Sequence, residues 1–275
     1  MLLGIDVSKW QGELDWNKAR SAGARFAFVR AGAVSTTGHC YTDYQFERNA
    51  LLAPDYMPIG FYWYFRPQHD PISQANYFCS LIRDKRSKLP AVIDLEQTGD
   101  LTPKQITAAT SQMARQMFHR MNKWPLLYSR AMWMNANTIS DPIWNLLRLW
   151  IARYKAIPGP WADGTCKPRD YDEWDFWQFS ADNNHQGPTY GAKSKSIDLD
   201  YFNGDAKDLD RYIGESVVPS MIQITSRIST IDCGPDGVAN GVTWKGTRWQ
   251  TIGHSEDGEY YRVEGWIRVG NAEKL

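Results

Sequence analysis

The run Ala91-Val92-Ile93-Asp94-Leu95-Glu96 sets two carboxyls two residues apart in an otherwise apolar, β-branched stretch. Side chains alternate faces along a strand, so Asp94 and Glu96 share one face with Cα atoms about 6.6 Å apart. Carboxyls that close repel each other, which raises one pKa toward that of a general acid. Ser196-Ile197-Asp198-Leu199-Asp200-Tyr201 repeats the geometry with Asp198 and Asp200, and Asp6 lies near the end of the run Leu3–Val7. A single acid at a strand end more often caps a helix or pairs with lysine. Five acids at three strand ends point instead to shared chemistry. Beside tyrosine and tryptophan they suit glycoside hydrolysis, in which one acid protonates the leaving oxygen and another supports positive charge at the anomeric carbon.

The aromatic residues support that reading. The chain has 13 Trp and 14 Tyr, more than a core needs, and stacking on sugars would use the excess. In Phe61-Tyr62-Trp63-Tyr64-Phe65 the period of two puts Tyr62 and Tyr64 on one face, with Phe61 and Trp63 turned toward the core. Tyr128, Trp150, Trp177 and Gln178 also fall at or near strand ends. Tyr62, Tyr64, Tyr128, Trp150, Gln178 and Asp200 are therefore the candidate substrate contacts, around Glu96, Asp94, Asp6 and Asp198 as the candidate catalytic acids.

Other chemistries find less support. Thirty-one Lys and Arg balance 31 Asp and Glu, which removes the electrostatic footprint of a nucleic-acid or anionic-membrane binder. No apolar run approaches the ~18 residues of a membrane span. His39, His69, His119, His185 and His254 show no H-E-x-x-H or other ligand spacing, so neither a metal nor a cofactor is expected. Cys40, Cys79, Cys166 and Cys233 lie far apart, as reduced thiols do, and give no recognisable Cys–His pair for an amidase or peptidase.

The elements that must hold these residues alternate between strands and helices over the first 212 residues, the pattern of a parallel sheet wrapped by helices. Strands are expected at Leu3–Val7, Phe26–Arg30, Ile59–Phe65, Ala91–Glu96, Leu126–Ser129, Leu149–Ala152, Phe176–Phe179 and Ser196–Tyr201. Eight such strands make an α/β barrel, whose active sites form at the C-terminal ends of the strands. Asp70-Pro71, Asp141-Pro142 and the capping box Thr102-Pro103-Lys104-Gln105 predict three helix starts. Ile157-Pro158-Gly159-Pro160 and the stretch 182–187 carry loop chemistry, so the barrel should be irregular, with helices missing from its last third. Along a strand running toward the mouth Asp200 would lie nearer to it than Asp198, and the deeper of the two must be hydrogen-bonded. The expected division is a catalytic barrel over 1–212, a linker over 213–219 and a small all-β domain over 220–275.

Taken in order, Asp6-Val7-Ser8-Lys9-Trp10-Gln11-Gly12, Asp94-Leu95-Glu96, Trp150-Ile151-Ala152-Arg153-Tyr154, Trp177-Gln178-Phe179-Ser180 and Ile197-Asp198-Leu199-Asp200 resemble the glycoside hydrolase family 25 muramidases, the Chalaropsis-type lysozymes. The resemblance implies a TIM-like barrel lacking some helices, and cleavage of the β-1,4 bond between N-acetylmuramic acid and N-acetylglucosamine in peptidoglycan. It gives Glu96 the role of general acid, Asp94 that of positioning or stabilising the reacting sugar, and Asp6 and Asp198 those of the family's other acids. This chain has Asp200 where the family often has Asn, and Trp63 after Tyr62 where Tyr-His is common. The tail from Thr243 through Gly265-Trp266-Ile267-Arg268-Val269 is similar to bacterial SH3 domains that attach lytic enzymes to cell walls.

Together these readings imply a monomeric wall-lytic enzyme of the phage endolysin kind, with peptidoglycan as its partner. The start Met1-Leu2-Leu3-Gly4-Ile5 has no basic n-region, so a cytoplasmic product released by a holin-type route is expected. A bacterial autolysin and a non-catalytic peptidoglycan-binding protein are the alternatives.

Overall fold

The computed structural model describes residues 1–154, 167–181 and 185–215, and beyond them the backbone of short strands between 221 and 274. Two compact units divide the chain, Met1–Ile213 and Gly214–Leu275.

The first unit is built on β1 (Leu2–Val7), β2 (Phe26–Val34), β3 (Cys40–Thr42), β4 (Ile59–Phe65), β5 (Val92–Leu95), β6 (Leu126–Arg130), β7 (Arg148–Ala152), β8 (Phe176–Ser180) and β9 (Asp198–Phe202). Strand order is β1-β9-β8-β7-β6-β5-β4-β2, and pairing of β1 with β2 closes an eight-stranded barrel. β3 adds to β2 as an antiparallel hairpin partner outside the ring. Helices α1 (Trp16–Ser21), α2 (Phe46–Leu52), α3 (Pro71–Ile82), α4 (Pro103–Met121), α5 (Ala131–Asn137) and α6 (Ala206–Glu215) complete the unit. No α-helix lies between β7 and β9 among the described residues.

Seven barrel strands run parallel, and β9 is antiparallel to both β8 and β1. This corrects the all-parallel expectation. An alternating strand pattern reads the same in both directions, and polarity comes from the connection. The chain leaves β8 at the mouth and, among the described residues, meets no α-helix that could return it to the far end, so β9 starts where β8 stopped. In the register Asp6 lies opposite Asp198 and Gly4 opposite Asp200. Asp198 is thus the residue at the mouth and Asp200 the deeper one, the reverse of the order expected for a parallel strand.

Two of the three predicted helix starts open α-helices. Asp70 accepts from the backbone N–H groups of Ile72 and Ser73 ahead of α3, and Thr102 with Gln105 forms the capping box of α4. Asp141 caps only a 3₁₀ turn over Pro142–Leu146. Ile143, Trp144 and Leu147 anchor that turn in the core, and β7 begins at Arg148, which leaves no length for a helix.

The strand faces separate two cores. Phe61, Trp63, Ile93, Leu95, Ile151 and Trp177 point outward under the helices, where Trp63 Nε1 donates to Gln74 Oε1 of α3. Phe26, Phe28, Tyr62, Val92, Leu126, Tyr128, Trp150, Phe176 and Phe202 fill the barrel. Phe28 and Trp150 stack with centroids 4.4 Å apart, and Tyr128 packs on Trp150 at 4.6 Å. This plug needs room on the facing strands. A Cβ at Gly4 would stand 2.3 Å from the Phe26 ring, and one at Gly60 would stand 2.7 Å from Phe28.

In the second unit the backbone of β10 (Met221–Ile224), β11 (Arg248–Gln250) and β15 (Ala272–Lys274) forms one antiparallel sheet. That of β12 (Gly253–His254), β13 (Tyr260–Arg262) and β14 (Trp266–Arg268) forms another. The rest of the expected SH3-like domain, with Cys233, lies outside the described residues, as does Cys166 of the first unit. Cys40 and Cys79 are free thiols.

Gly60→Ala should lower the stability of the barrel by about 1–3 kcal/mol, as overpacking of a filled core does. Urea denaturation checks this, and an unchanged midpoint would mean that the Phe28 ring can move aside.

Candidate active site

At the mouth the barrel opens into a cavity of about 240 Å³, lined among others by Asp6, Arg30, Tyr62, Tyr64, Asp94, Glu96, Tyr128, Trp150, Gln178 and Asp198. Each comes from the inward face of its strand or from the residue just beyond it. Trp150, from the top of the aromatic plug, forms part of the cavity wall. Nine of the ten residues expected at the site therefore meet in one space. Asp200 does not line it: it is fully buried, with its carboxyl held by the Trp150 indole N–H at 2.7 Å. Trp177, the second residue of β8, faces outward and donates to the Arg153 carbonyl.

Five lining residues escaped the strand-based reading, one of them Ala181 just beyond β8. Trp10 is 69% exposed on the 3₁₀ turn Lys9–Gln11 after β1, with Lys9 Nζ 4.7 Å from its ring centre. Ser8 caps that turn and, with Gln11, forms a capping box. Tyr154 stands just beyond β7. Arg30 is the one cation lining the cavity among the described residues, and it pairs with Asp43 at 3.4 Å. The Ser8…Gln11 capping pattern was legible and could have placed Trp10 at the rim. Nothing in the sequence distinguishes Arg30 from a surface arginine.

The acids are joined through a hydrogen-bond network. Gln178 Nε2 donates to Asp6 Oδ2 at 2.6 Å, while Gln178 Oε1 accepts from Tyr128 at 2.7 Å and Tyr154 at 2.9 Å. The two hydroxyls fix the amide so that its N–H faces Asp6. Asp94 and Glu96 both line the cavity, close enough for the charge of Glu96 to bear on Asp94. Glu96 also takes Arg130 at 3.3 Å and keeps 24% of its side chain exposed, so it is the member of the pair that a substrate can reach.

Burial dominates the electrostatics. Desolvation, then the charge of Glu96, pushes Asp6 up to about 7, against the opposing hydrogen bond from Gln178. The same two causes hold Asp94 well above the usual carboxylate range, and burial followed by the charges of Asp6 and Glu96 does so for Asp198. Buried acids whose pKa values are raised in this way can serve as proton donors and as charge stabilisers. Among the described residues no group of three or more His, Cys, Asp or Glu could hold a metal ion.

The family model of the glycosyl hydrolases family 25 matches residues 5–188, which includes Asp6, β5 and the Asp94–Glu96 pair. The chain belongs to this family. Among curated relatives, the uncharacterized protein YegX of Escherichia coli O6:H1 is 32% identical over 216 residues, 76% of this chain and 72% of that protein. Lysozyme M1 of Streptomyces globisporus is 31% identical over 222 residues, 75% of this chain and 69% of that protein. Of solved structures, the bacterial lysozyme from Streptomyces coelicolor superposes with a TM-score of 0.65 at 26% identity, covering 78% of this chain and 98% of that one. This family 25 chain is a glycoside hydrolase of the lysozyme type.

The raised Asp6 pKa makes stability depend on pH. Unfolded, Asp6 releases its proton in the ordinary carboxylate range; folded, it does so near 7. Between those values the folded state binds more protons, so this group lowers stability progressively as pH rises from about 4 to 7. Asp6→Asn removes that titration. The stability of the variant minus that of the parent should grow across this window and level off above it, as read by urea denaturation at stepped pH. A difference that stays flat would show Asp6 charged throughout.

Proposed function

We propose that the enzyme is an N-acetylmuramidase that cleaves the β-1,4 bond between N-acetylmuramic acid and N-acetylglucosamine in peptidoglycan. The observation that carries this is the pairing of the buried Asp94 with the partly exposed Glu96 at one end of an aromatic-lined cavity. Glu96 is the general acid: it reaches the cavity beside the buried Asp94, so a glycosidic oxygen placed beside it can be protonated as the bond breaks. Asp94 faces the same space and positions the reacting sugar or stabilises its charge. Asp6 and Asp198, opposite one another across β1 and β9, supply negative potential toward the positive charge that develops at the anomeric carbon.

Aromatic residues hold the glycan. Tyr62, Tyr64 and Tyr128 line the cavity, and the exposed Trp10 provides a stacking platform at the rim. The second unit is read as a wall-attachment module, supported by the fact that the first unit already contains every residue of the site. Tethering raises the local concentration of substrate without altering the chemistry. The whole chain is read as a phage endolysin that acts as a monomer on the host wall after release from the cytoplasm.

Mass spectrometry of digested cell walls should find muropeptides with N-acetylmuramic acid at the reducing end; N-acetylglucosamine there would make the enzyme a glucosaminidase. Glu96→Gln should lower turnover by about 10²–10⁴-fold at an unchanged melting temperature, since an amide keeps the shape of the acid but cannot donate its proton. Activity within a few-fold of the parent would remove Glu96 from that role. Asp198→Asn should also depress kcat with little change in melting, and an unchanged kcat would leave the charge at the mouth to Asp6 alone.

Removing residues 220–275 should spare hydrolysis of soluble glycan fragments while reducing lysis of intact cells. An equal fall in both would assign the second unit a structural role.

A further inference from the structure

Asp200 is the acid of the cluster that substrate cannot touch. It is fully buried beneath the cavity, on β9 between β8 and β1, with Gln178 directly across on one side and Gly4 on the other. Asp6 lies two residues beyond Gly4 on the same inward face, diagonal to Asp200 across the β1–β9 pair. Asp200 Oδ1 takes the Trp150 indole N–H at 2.7 Å, and its Oδ2, also buried, receives no hydrogen bond from any described donor. The other charged groups that bear on it are Asp6 and, on its own strand, Asp198. The Gln178 amide N–H is already directed at Asp6. Two carboxylates facing each other with no cation between them would each present acceptors only, a costly arrangement for buried atoms.

We propose that Asp200 is a proton-bearing positioning residue, whose carboxylic O–H donates to Asp6 and fixes Asp6 as the acceptor of the pair. Every donor in the network then points the same way: Tyr128 and Tyr154 donate to Gln178, Gln178 donates to Asp6, and Asp200 donates to Asp6 from below. Two donors on Asp6 stabilise its charged form without a cation beside it, so within the Asp6–Asp200 pair the negative charge resides on Asp6. Burial followed by the charge of Asp6 also holds Asp200 well above the carboxylate range, in keeping with a retained proton. The consequence for the rate rests on the muramidase reading; the position of the proton does not.

Substitutions separate a proton donor from a buried charge. Asp200→Asn replaces the O–H donor by an N–H donor of the same shape, while Asp200→Leu removes donor and acceptor together. The reading is ¹³C NMR of the full chain labelled at aspartate side-chain carboxyls, with signals assigned by Asp6→Asn and Asp200→Asn. In the parent, the signal lost in Asp200→Asn should stay at the protonated position from pH 5 to 8. The Asp6 midpoint should move by less than about half a unit in Asp200→Asn, and should rise by about one unit or more in Asp200→Leu, where a donor to the charged form is lost. Wall hydrolysis by Asp200→Asn should keep the parent's pH profile. An Asp200 signal that titrates within that range, or an Asp6 midpoint that falls by a unit in Asp200→Asn because a neighbouring charge has gone, would overturn the proposal. The Asn variant decides even if the Leu variant fails to fold. A parent that releases no muropeptides would defeat the muramidase reading and leave the NMR result standing.

Discussion

Carboxyls gathered at the end of an apolar barrel lose hydration that only hydrogen-bond donors, cations or retained protons can replace. In this protein that need is met chiefly by neutral donors. Gln178 reaches Asp6, and Trp150 reaches Asp200. Arg130 meets Glu96 from a half-exposed position, and Arg30 is directed into Asp43. Buried acids with few cations near them keep their protons to higher pH, which is the condition under which one can give a proton and another can face a developing positive charge.

The aromatic plug makes this possible. Trp150 stacks on Phe28, packs against Tyr128 and donates to Asp200, so one side chain closes the barrel core and supports the acid layer above it. Tyr128 likewise belongs to the plug by its ring and to the site by its hydroxyl, which orients Gln178. Core and site are consecutive layers of the same inward-facing side chains. A substitution in the plug is therefore expected to move the acids, whereas one in the outer core under the helices acts on stability alone.

The antiparallel β9 has a chemical consequence. Had the eighth strand run with the others, Asp200 would have stood at the mouth and Asp198 below it. Reversed, the strand brings Asp198 opposite Asp6 at the cavity and sends Asp200 to the level of Gly4, where the missing side chain leaves the space to Phe26. The two acids share a face in either direction; only the direction decides which one meets solvent and which one must find a partner in the core.

Much of this was legible in the sequence because period-two alternation determines which side chains share a face. Asp94 with Glu96, Tyr62 with Tyr64, and the outward Phe61 and Trp63 all followed from it, as did the caps of α3 and α4. Alternation carries no polarity, so the direction of β9 came from a connection without a helix. A cap specifies where a helical turn begins but not how far it continues, so Asp141-Pro142 opened a 3₁₀ turn rather than a helix. Trp10, Arg30 and Tyr154 join the site through loop geometry and barrel closure, which bring together residues more than a hundred positions apart. The sequence determined the set of inward-facing acids and aromatics; tertiary structure alone decided their depth, because depth follows from strand direction and closure, and with depth the division into acids that face the cavity and one that supports them from beneath.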